Sequence, residues 1–205
     1  MTAIHSQGKD YSQADVELLE TIASQAAIAI TNAQLFEEIQ QLAETDELTK
    51  INNRRQLFRL GEQAFNHAKR YNEPFAVIML DIDNFKQVND TYGHATGDIV
   101  LGELAQHTLE NIREVDIVGR YGGEEFVIIM PNTTLEQGIE IAQRLRQQVE
   151  NARFSSSAGA IKTTISLGLA ALNMQTPNLA ALIDRADTAL YQAKNEGRNR
   201  VAFNQ

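Results

Sequence analysis

A run of six apolar residues, Phe75-Ala-Val-Ile-Met-Leu80, breaks off in Asp81-Ile82-Asp83. A continuous apolar stretch this short, rich in strand formers, reads as a central strand buried on both faces. The sequence around it supplies helical cover. Apolar positions recur at helical spacing in 56–70 (Leu57, Leu60, Ala64, Ala68), 98–112 (Leu101, Leu104, Ala105, Ile112), 135–149 and 179–193. Residues 120–130 read as strand, tight Gly122-Gly123 turn and strand, and 163–170 as a further strand. Strands alternating with helices of this length predict a layered α/β or α+β domain.

A different pattern precedes that domain. Residues 1–10 are polar and featureless, and from Ser12 a helical pattern runs to Ala43 with no Gly or Pro to stop it. Either Ser12 or Asp15 could cap this helix. Ile28, Leu35 and Leu42 lie seven apart, with Ile39 at coiled-coil spacing and Asn32 at the matching seam position one heptad earlier. The alternative is one amphipathic helix packed on a neighbouring domain. The expected division is a flexible start and long helix over 1–45, then a compact domain over 46–205.

Composition narrows the chemistry. The 205 residues include no cysteine, which excludes disulfides, thiolate zinc sites and a cysteine nucleophile. The four histidines are scattered, and no apolar run approaches the roughly 18 residues that span a bilayer. No signal-peptide pattern opens the chain, so a cytoplasmic location is expected. A net charge of −9 argues against a nonspecific grip on nucleic acid. It does not argue against small anionic ligands, because a metal ion or local basic groups reverse the field.

Three segments carry chemistry. Asp81 and Asp83 share a face if the strand continues, although either could instead cap a helix beginning near Asn84. Gly122-Gly123-Glu124-Glu125 places two acids after a hairpin turn in which both glycines are expected at positive φ. If this hairpin lies beside the strand ending at Asp81, then Asp81 and Glu124 converge, and magnesium takes one or two such carboxylates together with substrate phosphates. In Asn89-Asp-Thr-Tyr-Gly-His94-Ala-Thr-Gly-Asp98, an amide and a carboxylate suit the N–H donors of a guanine edge. Asp98 could equally be the N-cap of the next helix. Arg113-Glu-Val-Asp116 is a guanidinium–carboxylate pair suited to phosphate or guanine, or a surface ion pair between residues three apart.

Taken together, Gly-Gly-Glu-Glu-Phe126, Asp81-Ile-Asp-Asn-Phe-Lys86, the 89–98 block and the tail Ala193-Lys194-Asn-Glu-Gly-Arg198-Asn199 resemble the GGDEF family of bacterial diguanylate cyclases, over roughly residues 45–205. The opening segment Asp46–Arg55 is similar too, with Lys50 and Ile51 in place of the family's usual Gly and Leu, departures expected to matter little. The resemblance implies a central, mostly antiparallel sheet wrapped by helices, like the palm of nucleotide cyclases and polymerases. It implies metal binding by Asp81, Glu124 and the Ile82 carbonyl, with two Mg2+ or Mn2+ ions per half-site. Glu124, where the family name has Asp, would assist deprotonation of the attacking hydroxyl. Asn89 and Asp98 would hold guanine, with His94 a further substrate contact, and Lys86, Lys194 and Arg198 would hold the triphosphate of GTP. Arg113 and Asp116, with five residues between Asp116 and Gly122, match an inhibitory site for the product cyclic di-GMP, with Arg144 as a second contact. A homodimer is implied, because one half-site cannot close the ring. The alternatives are a catalytically inactive receptor for cyclic di-GMP and a regulatory GTP-binding module. Residues 11–33 also resemble the closing helix of a GAF sensor domain.

Overall fold

The computed structural model describes residues 12–42, 44–156 and 159–204, with the side chains of Ala33, residues 35–42, Ser156 and Asn204 outside that description. The expectations for residues 1–11 and Ala43 lie outside it as well. The chain divides into two compact units, 1–43 and 44–205.

The first unit is the helix α1 (Gln13–Leu42). Ser12 is its cap: Ser12 Oγ accepts from the Asp15 amide at 3.3 Å, and Asp15 Oδ2 accepts from the Ser12 amide at 3.0 Å and hydroxyl at 2.7 Å. These bonds, the side-chain one foremost, hold the Asp15 carboxyl below its ordinary range. The seam positions Leu35, Ile39 and Leu42 fall on α1, but their side chains are not among those described.

The second unit holds α2 (Arg54–Tyr71), β1 (Phe75–Ile82), α3 (Phe85–Tyr92), α4 (His94–Asn111), β2 (Ile117–Gly122), β3 (Glu125–Pro131), α5 (Leu135–Asn151), β4 (Phe154–Ser156), β5 (Gly159–Ile161), β6 (Ile165–Ala171), α6 (Leu179–Asn195) and β7 (Val201–Asn204). Five strands form one sheet in the order β2-β3-β1-β6-β7, antiparallel except for the β6–β7 edge, and β4 pairs with β5. The apolar run is the centre of that sheet, and β1 is buried along its whole length.

Period-two alternation sends β1 side chains into two separate cores. Ala76, Ile78, Leu80 and Ile82 face a layer with Val100, Leu101 and Leu104 of α4 and Ile141, Ala142 and Leu145 of α5. Phe75, Val77 and Met79 face the opposite layer, with Leu57 and Phe65 of α2 and Leu182, Ile183 and Leu190 of α6. Local chemistry sets the helix starts. Asn53 Oδ1 accepts from the Gln56 amide, Thr134 and Gln137 form a reciprocal capping box, and Asn178 caps α6. The layered sandwich with a mostly antiparallel sheet is the fold the sequence predicts.

Candidate active site

The register of the sheet brings the two acidic segments together. β1 and β3 are antiparallel, and Asp81 lies directly opposite Glu125. β2 and β3 pair at Gly122 and Glu125, so the tip of the hairpin is Gly123-Glu124. Of the two signature glycines only Gly123 has positive φ (28°), while Gly122 is the last residue of β2. The expectation of two left-handed glycines is therefore corrected. One glycine turns the chain and Glu124 shares the tip.

Asp81 is 5% exposed. Burial pushes its carboxyl up to about 6. Lys194 opposes that rise, and the charges of Glu124 and Glu125 add to it. Lys194 Nζ lies 2.8 Å from Asp81 Oδ2. A cavity of about 160 Å³ at the sheet end is lined by Asp81, Ile82, Lys86, Glu124, Lys194 and Arg198. Beside it a cleft of about 340 Å³ is lined by Lys86, Asn89, His94, Asp98, Arg120 and Glu124. Lys86 and Glu124 belong to both, so the two spaces adjoin.

The side chains in these spaces are largely uncommitted. Among the described residues, Lys86 and Arg198 form no ion pair, and the Asn89 and Asp98 side chains accept no protein hydrogen bond. Asp98 is not a helix cap, which corrects that alternative: α4 begins at His94 behind Gly93, and Asp98 sits one turn in and exposed. Asn89 is seated against Gly97. A Cβ at Gly97 would fall 2.0 Å from Asn89 Oδ1, so only glycine leaves Asn89 that position.

Asp83 caps nothing. The N-cap of α3 is Asn84, in the left-handed region with no side-chain capping bond. Asp83 instead turns inward and accepts from Thr164, Ser166 and the Asn199 amide. Arg120 is a residue to which the sequence alone gives no role. Its Nε and Nη2 donate to the Gly123 carbonyl at 3.0 and 2.8 Å, and its Nη1 lies 3.2 Å from both oxygens of Asp46. Asp46 also accepts from the Thr49 amide and hydroxyl. Partial burial raises its carboxyl, but these bonds outweigh it and hold the group below its ordinary range. Asp46 opens the segment Asp46–Arg55 and Arg120 stands two residues before Gly122, so the signal was available at the edges of the blocks.

Arg113 and Asp116 are not the simple ion pair of the surface alternative. Asp116 is 8% exposed, and its Oδ2 accepts from the Arg113 backbone amide at 2.8 Å. Its Oδ1 is the one buried side-chain N or O atom among the described residues that has no hydrogen-bond partner. Burial raises the Asp116 carboxyl, while the Arg113 amide and charge lower it. Arg144 Nη2 donates to the Asn111 carbonyl at 2.6 Å, at the end of α4.

The end of the sheet thus gathers carboxylates beside a polar cleft. Residues 43–200 match the family described as diguanylate cyclase, GGDEF domain, and the chain belongs to that family. It is 38% identical over 200 residues to diguanylate cyclase A of Treponema denticola, covering 96% of this chain and 52% of that protein. The chain thus spans about half the length of that relative, and 36% of the response regulator PleD of Caulobacter vibrioides. Among solved structures it resembles the active GGEEF domain of a Vibrio cholerae diguanylate cyclase, with TM-score 0.71, 37% identity and coverage of 75% of this chain and 97% of that one. It also resembles the coiled coil and GGDEF domain of DgcB from Caulobacter crescentus in complex with c-di-GMP, with TM-score 0.75, 28% identity and coverage of 91% and 99%.

Proposed function

We propose that this chain is a diguanylate cyclase that condenses two GTP into cyclic di-GMP and releases two pyrophosphates. The observation that carries the reading is the convergence of Asp81 and Glu124 on a cavity that opens into the cleft of Asn89 and Asp98. Asn89 and Asp98 match guanine's mixed edge, and an acid suits its N–H donors better than adenine's edge. Lys86, Lys194 and Arg198 surround the smaller cavity, where a triphosphate would lie, with His94 at the cleft wall.

The site suits a divalent cation on chemical grounds. Its donors are oxygens, and the crowding of Asp81 by Glu124 and Glu125 is a field that a cation relieves. Asp81, Glu124 and the Ile82 carbonyl would hold Mg2+ or Mn2+, which when bound supplies charge neutralisation and acidifies a nearby hydroxyl. The chain's own groups then perform the positioning. The 3′-hydroxyl of one GTP attacks the α-phosphorus of the other, the bond from that phosphorus to the bridging oxygen breaks, and pyrophosphate departs. Glu124 receives the hydroxyl proton. Repetition with the roles exchanged closes the ring. Alignment and fixed charge do most of this work, since no covalent intermediate is needed.

One cavity holds one GTP, so two chains must face each other. The exposed Leu18, Leu19, Ile22, Ile28 and Ile30 of α1 support a homodimer built on that helix, which we read as a GAF-like closing helix and coiled-coil linker over residues 1–45. No described helix is long and apolar enough to cross a membrane. The unsatisfied Asp116 Oδ1 favours a second binding site for the product, with Arg113 gripping phosphate or guanine and Arg144 beside it. That makes the enzyme product-inhibited, and the same site would serve the receptor reading if the cavity were inert.

Incubation with GTP and Mg2+, with products separated by chromatography, tests the proposal. Cyclic di-GMP and pyrophosphate in a one-to-two ratio are expected. Absence of any cyclic dinucleotide at high protein concentration would overturn it in favour of the receptor.

A further inference from the structure

We propose that Asp83 is a positioning residue for the triphosphate: its carboxylate clamps the Asn199 amide and so holds Arg198 at the phosphate end of the cavity. The proposal rests on the reading of that cavity given above. Asp83 is 4% exposed, and its two oxygens are fully engaged. Oδ2 accepts from Thr164 Oγ1 at 2.7 Å and from the Asn199 amide at 3.0 Å, and Oδ1 accepts from Ser166 Oγ at 2.6 Å. Its backbone is tied to the same neighbours, with its amide donating to the Thr164 carbonyl at 2.9 Å.

The clamp acts on an unusual piece of chain. Arg198 and Asn199 are consecutive non-glycine residues in the left-handed region, with φ of 64° and 46°. An arginine rarely adopts that conformation, and it persists only where the surroundings over-determine it. Here they do. The Arg198 amide donates to the Ala193 carbonyl at the end of α6, and Asp83 takes the next amide. The Asn199 side chain is held from α5, donating to Glu150 at 2.8 Å and accepting from Arg146 at 3.0 Å. Those side-chain bonds locate Asn199, whereas the Asp83 bond fixes its peptide plane and hence the direction in which Arg198 leaves the turn.

The end of β1 thus serves both tail cations. Asp81 meets Lys194 directly, and two residues on Asp83 meets Arg198 through the backbone. Losing the clamp frees Arg198 from its turn without touching Asn89 or Asp98. The penalty falls on the phosphates and spares the base.

Binding of 3′-deoxy-GTP, which cannot react, and of GMP, each with Mg2+, gives the test. Asp83→Ala is expected to weaken 3′-deoxy-GTP binding by about tenfold or more and to leave GMP binding nearly unchanged. Asp83→Asn recovers most of the loss, since its amide oxygen serves Asn199 and its NH2 donates to Ser166. Arg198→Ala combined with Asp83→Ala binds no worse than Arg198→Ala alone. Where Asp83→Ala does not fold, Asp83→Ser replaces it, keeping a hydroxyl for Ser166 but falling short of Asn199. Equal loss for both nucleotides, or additive losses in the double variant, would overturn the proposal. Hydrogen exchange at the Asn199 amide separates the two layers of the argument. It is expected to be slow in the wild type and Asp83→Asn and fast in Asp83→Ala, and equal rates would overturn the clamp. A wild type that binds 3′-deoxy-GTP no better than GMP would instead overturn the cavity's triphosphate reading, and with it the role given to Arg198.

Discussion

Lys194 Nζ sits 2.8 Å from Asp81 Oδ2, yet the pair does not bring Asp81 back to an ordinary carboxylate, whose value here reaches about 6. Burial outweighs the ion pair. The charged carboxylate is kept at a cost to the fold, which is the signature of a residue retained for binding. Asp81→Asn is therefore expected to abolish turnover and to stabilise the metal-free protein by about 1–3 kcal/mol at neutral pH. The sign follows from proton linkage. The folded value lies above the unfolded 3.8, so this group's contribution is fully present below that pH and is lost as pH rises through about 6. In EDTA, thermal melts of the variant and the wild type should differ by a constant amount below pH 4 and diverge, in favour of the variant, up to pH 7. A gap that narrows over that range would show that Lys194 wins.

Arg120 joins the Asp46 turn to the Gly123 carbonyl, one residue before Glu124. Its planar fork meets both partners at once, which lysine cannot do. Arg120→Lys should lower kcat by about tenfold or more through misplacement of Glu124. KM for GTP should change much less, because the base cleft keeps Asn89 and Asp98. A fall in KM-controlled binding with kcat intact would place Arg120 on the substrate instead.

Lys50 adopts φ 60° in the turn closed by the Asp46 amide and the Ile51 carbonyl. A side chain in the left-handed region costs roughly 1 kcal/mol that glycine avoids. The substitution of Lys50 for the family's glycine is thus a small, local strain on an exposed residue, and Ile51 in place of leucine is simply core. Lys50→Gly should raise stability by about 0.5–1 kcal/mol, read as an upward shift in Tm with unchanged turnover.

The central strand, the four long helices of the second unit and the convergence of Asp81 with Glu124 were legible because each rests on local periodicity or on a motif. The limits of legibility lie where side chains reach across the chain. Asp83 and Asn199 are far apart in sequence, as are Asp46 and Arg120, and no periodicity links them. The short strand β7, at the parallel edge of the sheet, is set by pairing with β6 rather than by its own pattern. Asp98 is a local ambiguity of a different kind, because one carboxylate after a glycine can cap a helix or face a cleft. The earlier start of α4, at His94, decides it.

Gly97→Ala would put a methyl where Asn89 Oδ1 now rests. Because both residues lie on the neighbouring helices α3 and α4 and not on the hairpin that carries Glu124, the effect should fall on binding. KM for GTP is expected to rise by about tenfold, with kcat at saturation nearly unchanged, the pattern of a lost uniform contact. Discrimination against ATP should fall in parallel, since the displaced Asn89 no longer reads the guanine edge. An unchanged KM would mean that Asn89 does not touch the base.

Asp116 holds one oxygen on the Arg113 amide and leaves the other buried and unpaired, an arrangement that costs about 1–3 kcal/mol unless something donates to it. On the proposed product-site reading, guanine N–H groups of the product would donate there, and the exposed Arg113 side chain would grip the same ligand. Two variants separate ligand binding from fold. Arg113→Ala should leave initial rates as they are and relieve inhibition by added cyclic di-GMP by at least about tenfold. Asp116→Asn keeps the acceptor toward the Arg113 amide but turns the other position into a donor, which meets guanine's N–H groups unfavourably. It should relieve inhibition as strongly as Arg113→Ala. Inhibition that survives both substitutions would leave Arg113 and Asp116 with a purely structural role, Asp116 bracing the Arg113 backbone.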